Sequence, residues 1–131
     1  MSTAATGLGI TRLGQVAIHV KDVTRATAFY RDVLGLKFLF SPGQLAFFDC
    51  GGVRLMLDKP GNAEFDHPSS ILYFHVPDIQ AAHQRLVDAG VSIFEVPHVV
   101  APMPDHDLWM SFFRDPEGNV MALMSEVPRK G

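Results

Sequence analysis

Two stretches of this chain carry the same alternation of apolar and polar positions. Along residues 15–20, Val16, Ile18 and Val20 fall on one face of a strand, and Gln15, Ala17 and His19 fall on the other. Residues 71–76 repeat the pattern, with Leu72, Phe74 and Val76 opposed by Ile71, Tyr73 and His75. An offset of 56 residues carries His19 onto His75, Val20 onto Val76, Asp22 onto Asp78, Ala26 onto Ala82 and Asp32 onto Asp88. An internal repeat of this size sets the architecture before any other signal, and it places a ligand between two related half-sheets.

Each strand leads into a helical period. Asp22 or Thr24 caps the first helix, whose stripe is Ala26, Phe29, Tyr30, Val33 and Leu34 and whose stop is Gly35. Strands are expected over 36–40, 45–49 and 53–57, broken by Pro42-Gly43 and Gly51-Gly52. Residues 59–70 read as a linker. A second helix is expected from about Asp78 to Ala89, with Ile79, Ala82 and Leu86 on one face. Further strands are expected near 91–96, 108–114 and 120–125, with a tight turn at Asp115-Pro116-Glu117-Gly118-Asn119. Segment 97–107 carries Pro97, Pro102 and Pro104 and reads as a long irregular loop of the kind that serves as a lid or binding loop. The order is βαβββ, twice. The first module covers about 12–58 and the second about 71–126, after a loose leader. Either half alone would bury too little surface to be stable, so residues 1–131 are expected to form one domain with a shared core.

Composition narrows the class of function. At 47% hydrophobic and 19% charged, the chain is an ordinary globular one. A formal net charge of −3 argues against a nucleic-acid partner. No apolar run is long enough to span a bilayer, and the first residues lack the basic-then-apolar order of a secretory signal, so no membrane partner is expected. Cys50 is the single cysteine, which fits a reducing, cytoplasmic setting.

The repeated βαβββ order, Phe29-Tyr30-Arg31-Asp32-Val33-Leu34-Gly35-Leu36 at the end of the first helix, and Asp115-Pro116-Glu117-Gly118-Asn119 before the last strand resemble the vicinal oxygen chelate superfamily. That group includes glyoxalase I, methylmalonyl-CoA epimerase, extradiol dioxygenases, fosfomycin-resistance enzymes and bleomycin-binding proteins. The resemblance covers about residues 12–126. It implies an α+β fold in which two modules form a half-open, largely antiparallel barrel, and it adds weight to a homodimer. It says little about the reaction, because fold does not fix function. The metal-dependent members hold their ion at four strand positions facing the cleft. Here the resemblance carries these onto Gln15, Met56 (or its neighbour Leu55), Ile71 and Ala122. One neutral oxygen, one thioether and two hydrocarbon side chains cannot hold a hard divalent cation, so no metal and no cofactor is expected.

The cleft is then expected to be lined by Gln15, Ala17, His19, Met56, Ile71, Tyr73, His75, Trp109, Phe112 and Ala122, with Arg54 at its edge to pair an anionic group. The repeat pairs His19 with His75. Together with Tyr73 and His106 they are the candidate acid–base groups, each with the alternative of being a histidine or tyrosine without a chemical task. Two functions follow. One is a small-molecule-binding protein of the bleomycin-resistance type, holding or sequestering an apolar compound. The other is a glyoxalase-like lyase or isomerase that uses those acid–base groups.

Overall fold

The computed structural model describes residues 7–10, 12–61 and 68–129. Parts of the expected leader and linker therefore lie outside the described residues. Module 1 runs β1 (Gln15–His19), α1 (Val23–Ala28, continued by a π-helical turn over Phe29–Val33), β2 (Lys37–Phe40), β3 (Leu45–Cys50) and β4 (Val53–Asp58). Module 2 runs β5 (Leu72–His75), α2 (Ile79–Asp88), β6 (Ser92–Pro102), β7 (His106–Arg114) and β8 (Val120–Pro128). Both helices start as their sequences dictate. The Asp22 carboxylate accepts from the Arg25 N–H at 3.0 Å and the Asp78 carboxylate from the Ala81 N–H at 3.1 Å. Gly35 and Gly90 follow with φ of 74° and 76°, the left-handed conformation that ends a helix at little cost for glycine.

The strands form two four-stranded sheets, ordered β1-β4-β3-β2 and β5-β8-β7-β6. In each, the first and last strands of the module pair in parallel and the other pairs are antiparallel. The sheets are not closed into a barrel. Among the described residues the ladders join strands only within a module, so the pairing lies inside each sheet and not across the repeat axis.

Alternation decides which face is buried. Ile18, Val20, Leu55, Leu57, Phe48, Phe113, Met121 and Leu123 point to the helix side and are at most a few per cent exposed. Val16, Leu72, Phe74 and Val76 pack against the same core. Helix α1 contributes Ala26, Phe29 and Tyr30, and α2 contributes Ile79 and Leu86. Residues of both modules thus share one continuous core, which is how halves of this size reach adequate burial.

Segment 97–107 corrects the expected irregular loop. Strand β6 continues through Pro97 to Pro102, β7 starts at His106, and a short turn closed by the Met103 N–H to His106 carbonyl bond at 2.8 Å connects them. The prolines mislead because they suggest broken pairing. They are tolerated here because β6 is an edge strand and its register slips three times, so missing donors fall where no ladder bond is needed. Arg129 fastens the turn, donating to the carbonyls of His106 at 2.9 Å, Pro104 at 3.1 Å and Met103, and to Asp107 at 2.6 Å.

The modules are locked by the turn before β8. Asp115 is 4% exposed, yet its carboxylate is saturated. It accepts from the Tyr30 hydroxyl at 2.8 Å, the N–H groups of Glu117 at 2.9 Å and Asn119 at 2.8 Å, and the Asn119 amide at 2.9 Å. Two residues on, Glu117 accepts from the N–H groups of Lys21 at 2.8 Å and Asp22 at 3.1 Å and from Arg25 at 2.6 Å. The Asn119 amide also reaches the His19 carbonyl at 3.3 Å. One turn of module 2 therefore clasps the end of β1 and both ends of α1. Burial, and then the Asp115 charge, push the Tyr30 phenol far above its ordinary ionisation range, so it stays a donor.

Tyr30→Phe should lower unfolding free energy by about 2 kcal/mol, the scale of a hydrogen bond to a charged acceptor, without changing the urea m-value. Asp115→Ala should cost more, because it strands the hydroxyl and two N–H groups at once. Acid sensitivity should report on Glu117. Burial alone would raise its carboxyl, but the bonds from Lys21, Arg25 and Asp22 together hold it below the ordinary 4.5. A depressed folded value means the stability is present above pH 4.5 and is lost as pH falls through the folded value. Urea melts of Glu117→Gln against the parent from pH 7 to pH 3 should show a flatter pH dependence in the variant. Parallel curves would rule the clasp out as the source.

Candidate functional site

The face of each sheet turned away from the helices carries the candidate residues. In module 1 it is built by Gln15, Ala17 and His19 of β1, Arg54, Met56 and Asp58 of β4, and Leu45, Phe47 and Asp49 of β3. The register pairs Gln15 with Arg54, Ala17 with Met56, His19 with Asp58, and Phe47 with Met56. Arg54 is the organising group. Its Nε donates to the Gln15 side-chain oxygen at 2.6 Å, and its guanidinium sits over the Phe47 ring, 5.3 Å from the centroid. Phe47 stacks on Phe40 with centroids 4.8 Å apart, and Phe40 is 51% exposed. The Gln15 amide nitrogen faces the Met56 sulfur at 3.8 Å. Leu55, the alternative to Met56, is buried on the helix side.

In module 2 the open face is more apolar. Tyr73 of β5 lies beside Ala122 of β8, which lies beside Phe112 of β7. The Tyr73 and Phe112 rings meet edge to face at 6.1 Å, and Ala122 is fully buried. Ile71 and Tyr73 are 43% and 47% exposed. Two hollows adjoin this strand. One of about 410 Å³ is lined by Tyr73, His75, Leu34, Leu36 and Cys50 among others. The other, about 260 Å³, lies between Val16 and Leu55 of module 1 and Leu72 and Phe74 of β5. Burial, and behind it the Asp49 carboxylate, push the Cys50 thiol up, which makes it a poor nucleophile.

Four residues expected to meet in one cleft do not. Trp109 packs against the core with Phe113 and Ser111, on the helix side of β7. It is three positions from Phe112, and a strand period of two places such residues on opposite faces. His106 shares the face of Phe112 but lies six residues along β7, roughly 20 Å away at strand rise. Its Nδ1 is 2.7 Å from Asp105, whose carboxyl this bond holds below its usual range, and its Nε2 is 3.8 Å from Glu126. His19 and His75 lie in separate hollows. His19 borders one of about 400 Å³ with Lys21, Lys59, Glu117 and Asn119, whereas His75 borders the one beside Cys50. Each of these strands ends beside the other module's last turn, so the repeat sets the two imidazoles apart.

His19 has a partner that its sequence position did not disclose. Its Nδ1 is 2.8 Å from Asp58, with side chains 14% and 19% exposed, and its backbone N–H donates to the Ser69 hydroxyl at 3.0 Å. The signal was available in the parallel register, which sets the last residue of β1 against the last of β4.

The four positions that would hold a divalent ion do not fit one. The Gln15 oxygen is engaged by a permanent cation, Arg54, which also opposes a second positive charge at the same place. Met56 offers a soft thioether, and Ile71 and Ala122 offer no donor. Among the described residues, no group of three or more His, Cys, Asp or Glu side chains is arranged to hold a metal.

Known structures share this architecture. Lactoylglutathione lyase from Agrobacterium tumefaciens is 25% identical over 88% of this chain and 94% of its own, with a TM-score of 0.72. TnmS3, an antibiotic binding protein from Streptomyces sp. CB03234, is 23% identical over 92% of this chain and 99% of its own, with a TM-score of 0.73. An integron cassette protein from the mobile metagenome of V. Cholerae is 26% identical over 88% and 95%, with a TM-score of 0.67. The sequence profile of one family matches residues 12–123, which span both modules, the Tyr30–Asp115 clasp and the open faces. By that match the chain belongs to the glyoxalase/bleomycin resistance protein/dioxygenase superfamily.

Proposed function

We propose that this chain binds an apolar small molecule on the open faces of its sheets, without a metal and without turnover, in the manner of the drug-binding members of its superfamily. The observation that carries this reading is that Arg54 engages the Gln15 oxygen, the one hard donor among the positions Gln15, Met56, Ile71 and Ala122. The surrounding surface supports it. Phe40, Phe47, Met56, Tyr73, Phe112 and Ile71 give the aromatic and aliphatic area that ligand sites use, with few polar groups. Ile71, Tyr73 and Phe40 are each 43–51% exposed in one chain, so a homodimer that faces open sheets together is part of the proposal. The single cysteine suits a cytoplasmic setting.

A second reading rests on the His19–Asp58 contact. A carboxylate against Nδ1 fixes the imidazole's orientation, as acid–base histidines require, so a lyase or isomerase that uses His19 is the competing function. His75 and Tyr73 would serve it from the other hollow, and His106 only at the far end of β7.

Thermal-shift screening with apolar aromatic compounds, followed by product analysis of every hit, separates the readings. Binding raises the melting temperature by mass action. The expected result is a hit recovered unchanged after long incubation, insensitive to His19→Ala. Conversion abolished by His19→Ala would establish the enzyme instead.

Bulk placed on the open faces should discriminate between positions. Ala17 is exposed, so Ala17→Trp should block hits while changing stability by less than about 0.5 kcal/mol. Ala122 is enclosed between Tyr73 and Phe112, so Ala122→Trp should cost about 1–3 kcal/mol through overpacking. Retained ligand binding by folded Ala17→Trp would place the site elsewhere.

A further inference from the structure

We propose that Arg54 is the seat for the carboxylate of a flat aromatic monoacid, and that Phe47 and Phe40 form the surface along which its ring system lies. This rests on the binding function above and names the ligand class that the site selects.

The guanidinium is oriented before any ligand arrives. The Gln15 oxygen holds its Nε at 2.6 Å and the Phe47 ring backs it. Among the described residues, neither Nη nitrogen donates to a protein acceptor. What remains is an end-on fork of two N–H groups, the geometry that matches two carboxylate oxygens. An ion pair with a neighbouring acid would cancel this seat, but among the described residues none forms. Asp49 is the cross-strand neighbour of Arg54, yet no Arg54 nitrogen lies within 4.0 Å of it.

The charge of the row sets the charge of the ligand. Lys37, Asp49 and Arg54 lie side by side across β2, β3 and β4. Their sum is one positive charge, which one carboxylate neutralises. A phosphate dianion would leave an excess on a surface with no second arginine in that row. The ring preference follows from what adjoins the cation. An aromatic acid lies coplanar with its carboxylate, so it continues the layer that the guanidinium forms over Phe47, towards Phe40 and Met56. The Phe47–Phe40 stack, 4.8 Å apart and tilted by 24°, offers a broad aromatic wall for such a ring. An aliphatic acid would gain the charge contact but little of that area.

The test uses two probes of one shape, 2-naphthoate and the neutral 2-naphthamide, titrated calorimetrically into the full-length protein, Arg54→Met and Phe40→Ala. Arg54 is exposed and Met retains much of its stem, so that variant should fold, and its thermal melt verifies this. The parent should bind naphthoate about tenfold or more tighter than naphthamide, the scale of one charge-assisted fork. Arg54→Met should bring naphthoate down to the naphthamide level and leave naphthamide unchanged. Phe40→Ala should weaken both probes by a similar factor. Gln15→Leu should weaken naphthoate by less than Arg54→Met does, because it frees the arginine without removing it. Equal affinity of the parent for both probes, or naphthoate binding that survives Arg54→Met, overturns the proposal. If naphthamide binds and is blocked by Ala17→Trp while the charge is irrelevant, the ligand class falls and the binding function stands. If neither probe binds at about 1 mM and no screened aromatic does, both fall together.

Discussion

The Asp115 carboxylate is the group on which the rest of the structure depends. Burying a carboxylate is costly unless its lone pairs are filled, and here four donors fill them. Two of those donors are backbone groups of the turn itself, so the acid shapes the turn. One is the Tyr30 hydroxyl, 85 residues away in sequence, so the same acid also fixes how module 2 meets the first helix. Glu117 and Asn119 can reach Arg25, Lys21 and His19 only because the turn has that shape. Among the described residues, the equivalent place in module 1, Cys50-Gly51-Gly52, has no acid after the strand and makes no such clasp. The repeat has thus diverged into one half that holds and one half that is held.

That division leaves the exposed positions of the open faces free of structural duty, unlike the buried Ala122. The core needs Ile18, Leu55, Leu57, Phe113, Met121 and Leu123, all on the helix side, and the clasp needs the turn. Positions such as Gln15, Arg54 and Met56 contribute little to either. Their chemistry can change with small cost in stability, which is how one fold can host different chemistries on this face.

Much of the fold was legible because it rests on periodicity and local capping. Alternation at Val16, Ile18 and Val20 gave the buried face, Asp22 and Asp78 gave the helix starts, and the repeat gave the order of elements. What was not legible depended on pairing between distant segments. Pro97, Pro102 and Pro104 suggested a loop because nothing local says that β6 is an edge strand. The first helix read as one regular element, yet its end widens into a π-turn, with the Leu34 N–H reaching the Phe29 carbonyl at 3.0 Å. The candidate site divided in the same way. Parity placed Gln15, Ala17, Met56, Ile71, Tyr73 and Phe112 on the open faces. Trp109 was misplaced where parity was not applied, and the Asp58 partner of His19 was missed because it lies on a strand met only through parallel register.

The pairing of His19 with Asp58 and of Arg54 with Gln15 arises from one ladder, four positions apart on β1. Their contrast bears on function more than either does alone. His19 is half-buried against an acid, in a hollow that also holds Lys21, Lys59 and Glu117, where a small polar reactant would be at home. Arg54 is exposed among phenylalanines, where an apolar anion would be. A single ligand extended along β1 would touch both, with its acid at Arg54 and a polar end near His19. The roughly 13 Å between residues 15 and 19 at strand rise is the length of a two- or three-ring compound. The strand itself therefore sets a lower bound on the size of a ligand that uses the whole face, and smaller aromatic acids would occupy only its Arg54 end.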